Sequence, residues 1–307
     1  MRPYLAILLL SSCSNPVRTA PEVAPEPVVI AEPAPEPEPD TEAPLAEMPI
    51  EVPADAGALS GLLTQLESTL RDPEKTGEAI ESYGHLQQRI YRVLSKDETK
   101  AAAVRAGLPE SLHATFDANM SGTARSSHTV TRRRSDLPDW DIIAPPEPEV
   151  LIELYRAAGE EFDVPWTVLA AIHLVETRMG RIRGTSHAGA QGPMQFMPAT
   201  WAAYGEGDIN DFGDAIRGAG RYLSQMGASR DLDKSIWHYN HSEDYIRAVR
   251  AFASVMDEDP MAYRGYWGWQ VYYQTTAGDI WLAKGYSATE RRAIDDYCGT
   301  VDHCPPQ

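Results

Sequence analysis

A single glutamate stands near the end of the most apolar stretch outside the chain's N-terminus. Residues 164–177 read VPWTVLAAIHLVET, apolar on nearly every side of a helix, and such a helix belongs in an interior. Glu176 falls one turn after Ile172 and two turns after Leu169, on their face. An ionised carboxylate buried without a partner is costly, and the usual escape is a raised pKa that keeps the proton on near neutral pH. A carboxyl that still holds its proton there is what general acid catalysis requires. A plainer reading puts Glu176 at the helix end in water, or paired with Arg178, Arg181 or Arg183; on the helix alone both readings stand. His173 reads as a core histidine.

The neighbouring loop favours chemistry. Residues 184–201 read GTSHAGAQGPMQFMPATW, where small positions let backbone approach a ligand closely and Pro193 and Pro198 fix the path. Polar Ser186 and Gln195 alternate with Met194, Phe196 and Met197, so the loop can offer hydrogen bonds and apolar faces together, which suits a sugar. Read plainly, it is a tight turn leading into a helix after Pro198.

Glu176-Thr177, then Ser186-x-x-Gly189-Ala190-x-Gly192-Pro193-Met194-Gln195-Phe196-Met197-Pro198-x-Thr200, then Tyr239-Asn240 resemble the soluble lytic transglycosylase family, peptidoglycan-cleaving enzymes with a lysozyme-like fold. The three blocks occur in the family's order over about residues 150–257. Thr177 stands where Ser often follows the glutamate, and His241-Ser242 replace Ala-Gly after Tyr239-Asn240. The resemblance implies that Glu176 protonates the glycosidic oxygen between N-acetylmuramic acid and N-acetylglucosamine. The same group, now ionised, then takes the proton of the muramic C6 hydroxyl, giving a 1,6-anhydro product without water. The sugar's N-acetyl oxygen would stabilise C1, replacing the second carboxylate of the common glycosidase plan. By motif position Ser186 and Gln195 would hold sugar substituents, Met194 would form an apolar wall, Tyr239 would orient the carboxyl or the N-acetyl group, and Asn240 would join the substrate-binding set. Met194 and Tyr239 also read as core, and Asn240 as a cap of the next helix; Gln195 is the hardest to read as passive, because a buried amide needs partners. No cofactor or metal is called for. The alternatives are a hydrolytic muramidase on the same fold and a non-catalytic peptidoglycan-binding lipoprotein.

The elements that must position these groups are mainly helical, an α+β lysozyme-like expectation. Leu59, Leu62, Leu63, Leu66 and Leu70 recur at helical spacing, a second amphipathic stretch spans residues 78–94, and helical composition continues over 97–120. Residues 57–120 are thus expected to form an accessory helical region, and 121–148, rich in Ser, Thr, Arg and Pro, a linker whose Arg132-Arg133-Arg134 run is a solvated turn. The lysozyme-like domain is expected over 149–258, with helices at 149–162, from Pro165, and at 198–204, 211–227, 231–239 and 243–257, and with Asn210 or Asp211 and Ser242 as caps. Asp208, Asn210, Asp211 and Asp214 fail as a calcium loop, since Phe212 takes the third acidic place; they read as caps, with a second catalytic carboxylate as the alternative. Residues 259–307 form an aromatic tail with a β-hairpin about Ala277-Gly278-Asp279, in which Trp267, Trp269, Tyr272, Tyr273 and Trp281 read as packing rather than sugar stacking. Cys298 and Cys304 suit a small stapled loop in an exported chain.

The N-terminus carries an address. Residues 1–13 combine Arg2, a short apolar run and Leu10-Ser11-Ser12-Cys13; the run is too short to span a bilayer and fits a signal peptide. These residues resemble the lipobox of bacterial lipoproteins, in which Cys13 would be acylated; an ordinary secretory signal is the alternative. Ser14 after the cysteine implies, by the same resemblance, an outer-membrane lipoprotein facing the periplasm, with a secreted or plasma-membrane form as alternatives. Residues 14–56 are a tether: 21–54 hold 10 of the 24 prolines and nine carboxylates with no Lys or Arg, an extended, solvated composition reaching on the order of 100 Å. Half of the net charge of −18 resides there. The acidic balance argues against a nucleic-acid partner; the expected partners are glycan strands and, through the lipid, a membrane, for a monomer.

Overall fold

The computed structural model describes residues 51–128, 133–301 and 304. Cys13, the leader, the tether up to residue 50 and Arg132 lie outside the described residues. In chain order come α1 (Ala56–Arg71), α2 (Gly77–Leu94), α3 (Glu98–Gly107), a 3-10 turn (Glu110–Leu112) and α4 (His113–His128). Two short strands, β1 (Asp136–Leu137) and β2 (Asp141–Ile142), precede α5 (Pro148–Phe162), α6 (Trp166–Thr177) and β3 (Ile182–Arg183). Next are α7 (Pro198–Tyr204), α8 (Phe212–Gln225), α9 (Leu232–Tyr239), α10 (Glu243–Glu258), a 3-10 turn (Pro260–Ala262) and α11 (Tyr263–Trp267). The chain ends with β4 (Val271–Thr275), β5 (Gly278–Leu282), β6 (Arg292–Ala293) and α12 (Ile294–Cys298). The protein is mainly helical.

Local chemistry sets the helix ends. Asp211 and Ser242 accept from the backbone N–H groups of Asp214 and Tyr245, at 3.0 and 3.3 Å, and so start α8 and α10. The acidic run before α8 is spent in the same way: the Asp214 carboxylate accepts from Asp208 N at 2.8 Å and Asp208 Oδ1 from Asn210 N at 2.9 Å. Pro148 and Pro198 occupy the first turns of α5 and α7, where a missing N–H costs nothing.

One apolar core runs from Leu59 on α1 to Trp269 beyond α11. The described residues make one compact unit, so the N-terminal helices are not set apart from the later ones. The stretch 121–148 departs from its expected linker character at its start, because α4 continues to His128. Its Ser, Thr and Gly content reads as a loop, yet Gly122 lets α4 lie directly on Phe252 of α10, and this packing overrides a weak local propensity. The central helix α6 lies between α5 and α10.

Buried polar groups hold this core in register. Glu67 on α1 is 2% exposed and is satisfied by Gln87 Nε2 at 2.9 Å, the Tyr91 hydroxyl at 3.0 Å and an ion pair with Arg71. Arg181, fully buried, donates to the carbonyls of Trp269 and Trp267 at 3.0 Å each and pairs with Glu81 at 2.9 Å. It thereby fastens the segment after α6 to the segment after α11.

A smaller cluster gathers Leu137, Ile142, Val271, Ile280, Leu282, Tyr286 and Tyr297. Three antiparallel pairs frame it: β1 with β6, β2 with β3, and β4 with β5, where Thr275 stands opposite Gly278. Cys298 and Cys304 form a disulfide.

Two glycines test how tightly α2 crosses the α11 segment. A Cβ on Gly84 would lie 2.4 Å from the Gly265 carbonyl oxygen, against rigid backbone, whereas one on Gly61 of α1 meets open space. Gly84→Ala is expected to cost about 2–3 kcal/mol or more, and Gly61→Ala to add about 0.5–1 kcal/mol. Urea unfolding of both variants checks the pair.

Candidate active site

Helix α6 is buried along almost its whole length, from Thr167 to Leu174, and Thr177 is buried as well. Only the last turn opens outward. The backbone then reverses through three consecutive left-handed residues, Arg178 (φ 54°), Met179 (φ 59°) and Gly180 (φ 84°). Two of these are not glycine, a conformation that costs on the order of 1–3 kcal/mol each and persists only where surroundings enforce it. They do so here. The Thr177 hydroxyl donates to the Pro193 carbonyl at 2.6 Å and accepts from Gly180 N at 3.0 Å, and an Arg178 guanidinium nitrogen donates to the Leu174 carbonyl at 2.5 Å. Met179 is buried, and its sulfur receives the Tyr155 hydroxyl. The hard turn leaves Glu176 half-buried at the mouth of the core.

Burial pushes the Glu176 carboxyl up to about 7, against the Tyr245 hydrogen bond and the Arg178 charge, both of which pull it down. The Tyr245 hydroxyl donates to Glu176 Oε1 at 2.6 Å. Tyr245 itself is raised well above the usual tyrosine range, first by burial and then by the Glu176 charge, so it stays a donor. Its ring lies parallel to that of Tyr239, with 6.5 Å between centroids, and the Tyr239 hydroxyl donates to the Met194 carbonyl at 2.7 Å. The three sequence blocks therefore meet behind one carboxyl: the end of α6, the 184–197 loop and the end of α9. His173 is a core residue, its Nδ1 hydrogen-bonded with the Tyr155 hydroxyl at 2.5 Å, and it is held neutral because burial, with the Arg183 charge, lowers it to about 3.

In front of Glu176 opens a cleft of about 730 Å³. The described residues that line it come from α2 (Arg92, with Lys96 beyond its end), α4 (Thr123, Ala124 and Ser126 to His128), Arg133, Trp140, the end of α6 (Val175, Glu176, with Arg178), and β4 (Val271 to Gln274). Tyr273 meets Trp140 edge-on at 5.5 Å, and the Arg92 guanidinium lies 4.0 Å over the Tyr272 ring. A second carboxylate lines the cleft, Asp279. Burial alone raises it, but the Lys96 hydrogen bond and the charges of Arg92, Lys96 and Arg133 hold it below the usual carboxylate range. The two carboxyls are thus driven apart in protonation.

Of the catalytic and substrate-binding residues named by motif position, Glu176 is the one found among the described residues that line this cleft. Met194 is fully buried and packs in the core instead of walling the cleft; it contributes its backbone carbonyl. The reason is the shape of its turn. Gln191 and Phe196 exchange both backbone hydrogen bonds at 2.9 Å, Gly192 is left-handed with no room for a Cβ against the Ile209 carbonyl, and Gln195 is left-handed at φ 52°. The Gln195 amide donates to the Gly192 carbonyl at 3.0 Å and the Ser186 hydroxyl accepts from Ala190 N at 3.0 Å, so both side chains hold the loop's own shape. Asn240 comes after α9 as its cap, its N–H on the Ile236 carbonyl. Trp267 and Trp269 are buried, while Tyr272 and Tyr273 face the cleft.

Sequence reasoning missed Tyr245, Arg92 and Trp140. Tyr245 offered one faint signal, its place three residues after the Ser242 cap; Arg92 and Trp140 offered none.

Since Tyr245 lowers the Glu176 pKa, Tyr245→Phe is expected to move it upward by roughly one unit, read from the carboxyl carbon's chemical shift against pH. The elevated value also has a cost for folding. A group raised from 4.5 to about 7 stabilises fully below 4.5, and that contribution drains away as pH climbs to 7. Glu176→Gln is therefore expected to match the parent near pH 4 and to exceed it by on the order of 3 kcal/mol above pH 8, measured by urea unfolding at both pH values. Comparison with known protein families, with curated proteins and with solved structures finds no match to this chain.

Proposed function

We propose that the chain is a lytic transglycosylase of peptidoglycan, with a lysozyme-like catalytic unit, carried as a lipoprotein on the periplasmic side of an outer membrane. The observation that carries the reading is Glu176: one carboxyl, half-buried at the edge of a large cleft, hydrogen-bonded by Tyr245 and poised near neutral pH. A group with its pKa near working pH can give a proton and take one back in the same turnover.

The protonated Glu176 donates to the glycosidic oxygen as the bond from the muramic C1 breaks, and the N-acetylglucosamine hydroxyl leaves. The N-acetyl oxygen bonds to C1 as the positive charge develops. Glu176, now a carboxylate with Tyr245 still donating to it, removes the C6 hydroxyl proton. O6 closes on C1 and displaces the acetyl oxygen, which restores the acid and gives the 1,6-anhydro sugar with no water consumed. Asp279 is ill-suited to a hydrolytic partnership, because Arg92 and Lys96 each hold it at 2.7 Å.

Glu176→Gln keeps the shape and removes the titrating proton; muropeptide release is expected to fall about a hundredfold or more. For the parent enzyme kcat/KM should decline as pH rises through about 7, since the acid must begin protonated. Mass spectrometry of the products should find anhydro ends. Reducing ends, one water heavier, would mark the chain as a muramidase, and unchanged release by Glu176→Gln would mark it as non-catalytic at this site.

A further inference from the structure

An acidic chain has built a basic cleft. Among the described residues four cations line it, Arg92, Lys96, Arg133 and Arg178, with His128 at its margin, against two carboxylates, Glu176 and Asp279. The chain as a whole leans the other way, at −18, half of it in residues 21–54. Low-dielectric walls concentrate such a field on whatever enters. Arg92 and Lys96 share Asp279, and His128 faces Asp244 at 3.6 Å; Arg133 is exposed beside them. Aromatic surface from Trp140, Tyr272 and Tyr273 completes the lining. Neutral sugars need the aromatic faces; they do not need four cations.

We propose that this cleft receives a carboxylate-bearing part of the substrate, namely the acidic peptide stem carried by the muramic sugar, so that the enzyme favours strands with stems over bare glycan. The proposal rests on the transglycosylase reading for the position of the sugar chain at Glu176. The cations act on the stem's carboxylates, with Arg92 fixed in place by Asp279 and by the Tyr272 ring beneath it, while the aromatic faces cover the apolar parts of the stem.

The test uses the full chain carrying Glu176→Gln, to prevent turnover, with soluble glycan strands bearing intact stems and the same strands stripped of stems by an amidase. Calorimetry is expected to show about tenfold tighter binding of the stem-bearing strands, with the difference shrinking as salt is raised to about 0.5 M. Lys96→Glu and Arg133→Glu, both on exposed side chains, are each expected to weaken binding of stem-bearing strands about three- to tenfold and leave stripped strands unchanged. Thermal melting confirms that the variants fold. Equal affinity for the two strands, preference for the stripped one, or no binding of either overturns the stem assignment. Anhydro products released from whole peptidoglycan by the parent chain report on the acid reading separately, so either claim can fail while the other stands.

Discussion

The desolvation of one carboxyl governs this structure. Glu176 stands in the last turn of a helix buried from Thr167 to Leu174, and the opposing influences, a tyrosine hydroxyl and a neighbouring guanidinium, are too weak to return it to the ordinary carboxylate range. Everything near it serves to keep that balance. The left-handed turn after Thr177 stops the helix abruptly, so that the carboxyl reaches the cleft while its backbone stays in the core. The turn in turn depends on the 184–197 loop, whose Pro193 carbonyl accepts from Thr177, and on Arg181, which ties its own segment to the carbonyls of Trp267 and Trp269. A residue with a destabilising protonation behaviour is thus supported by contacts drawn from distant parts of the chain, as functional sites generally are.

This dependence explains why the N-terminal helices belong to the site. α2 and α4 supply one wall of the cleft and β4 another, while α10 carries Tyr245 and packs against α4 and α6 together. Removing α1 to α4 would unwall the cleft and expose the face of α10 that α4 covers. The Glu67 network shows how firmly they are joined: a buried carboxylate is acceptable there because Gln87, Tyr91 and Arg71 all reach it. Glu67 and Glu176 are contrasting solutions to one problem. The first is fully paired and structural; the second has one neutral donor and an off-axis cation, and stays titratable.

The sequence was legible wherever the deciding contacts were local. Caps at Asp211 and Ser242 and prolines at 148 and 198 mark helix starts within a few residues, and the period of the leucines on α1 marks its buried face. Glu176 was legible because a charge inside an apolar helix is anomalous on its own. Illegible were features settled across long separations. Arg92 and Asp279 meet over nearly the whole length of the described chain, and Trp140 faces Tyr273 through packing that no nearby pattern announces. The Ser- and Thr-rich run after residue 120 reads as a linker because its propensity is weak, and it is helical because Phe252 lies against it. Met194 read either as an apolar wall or as core, and it lies in the core beside a left-handed Gln195.

Arg178 tests the coherence of the acid reading. A guanidinium beside a carboxyl that must hold a proton looks self-defeating, since an ideal ion pair would lower the Glu176 pKa by one to three units. Two features blunt it. One of the Arg178 nitrogens is engaged by the Leu174 carbonyl, and no ion pair with Glu176 forms among the described residues. The cation therefore acts at a distance, through a field instead of a contact. Such a field suits a group that must be neutral at the first proton transfer and charged at the second. Without Arg178, burial would leave the carboxylate of the second half too costly to form. With a direct ion pair, the acid of the first half would be lost to solvent before substrate arrived. A single carboxyl can serve both halves only if its neighbours split that difference, and the geometry of the α6 turn, which points Arg178 back along its own helix, is what splits it.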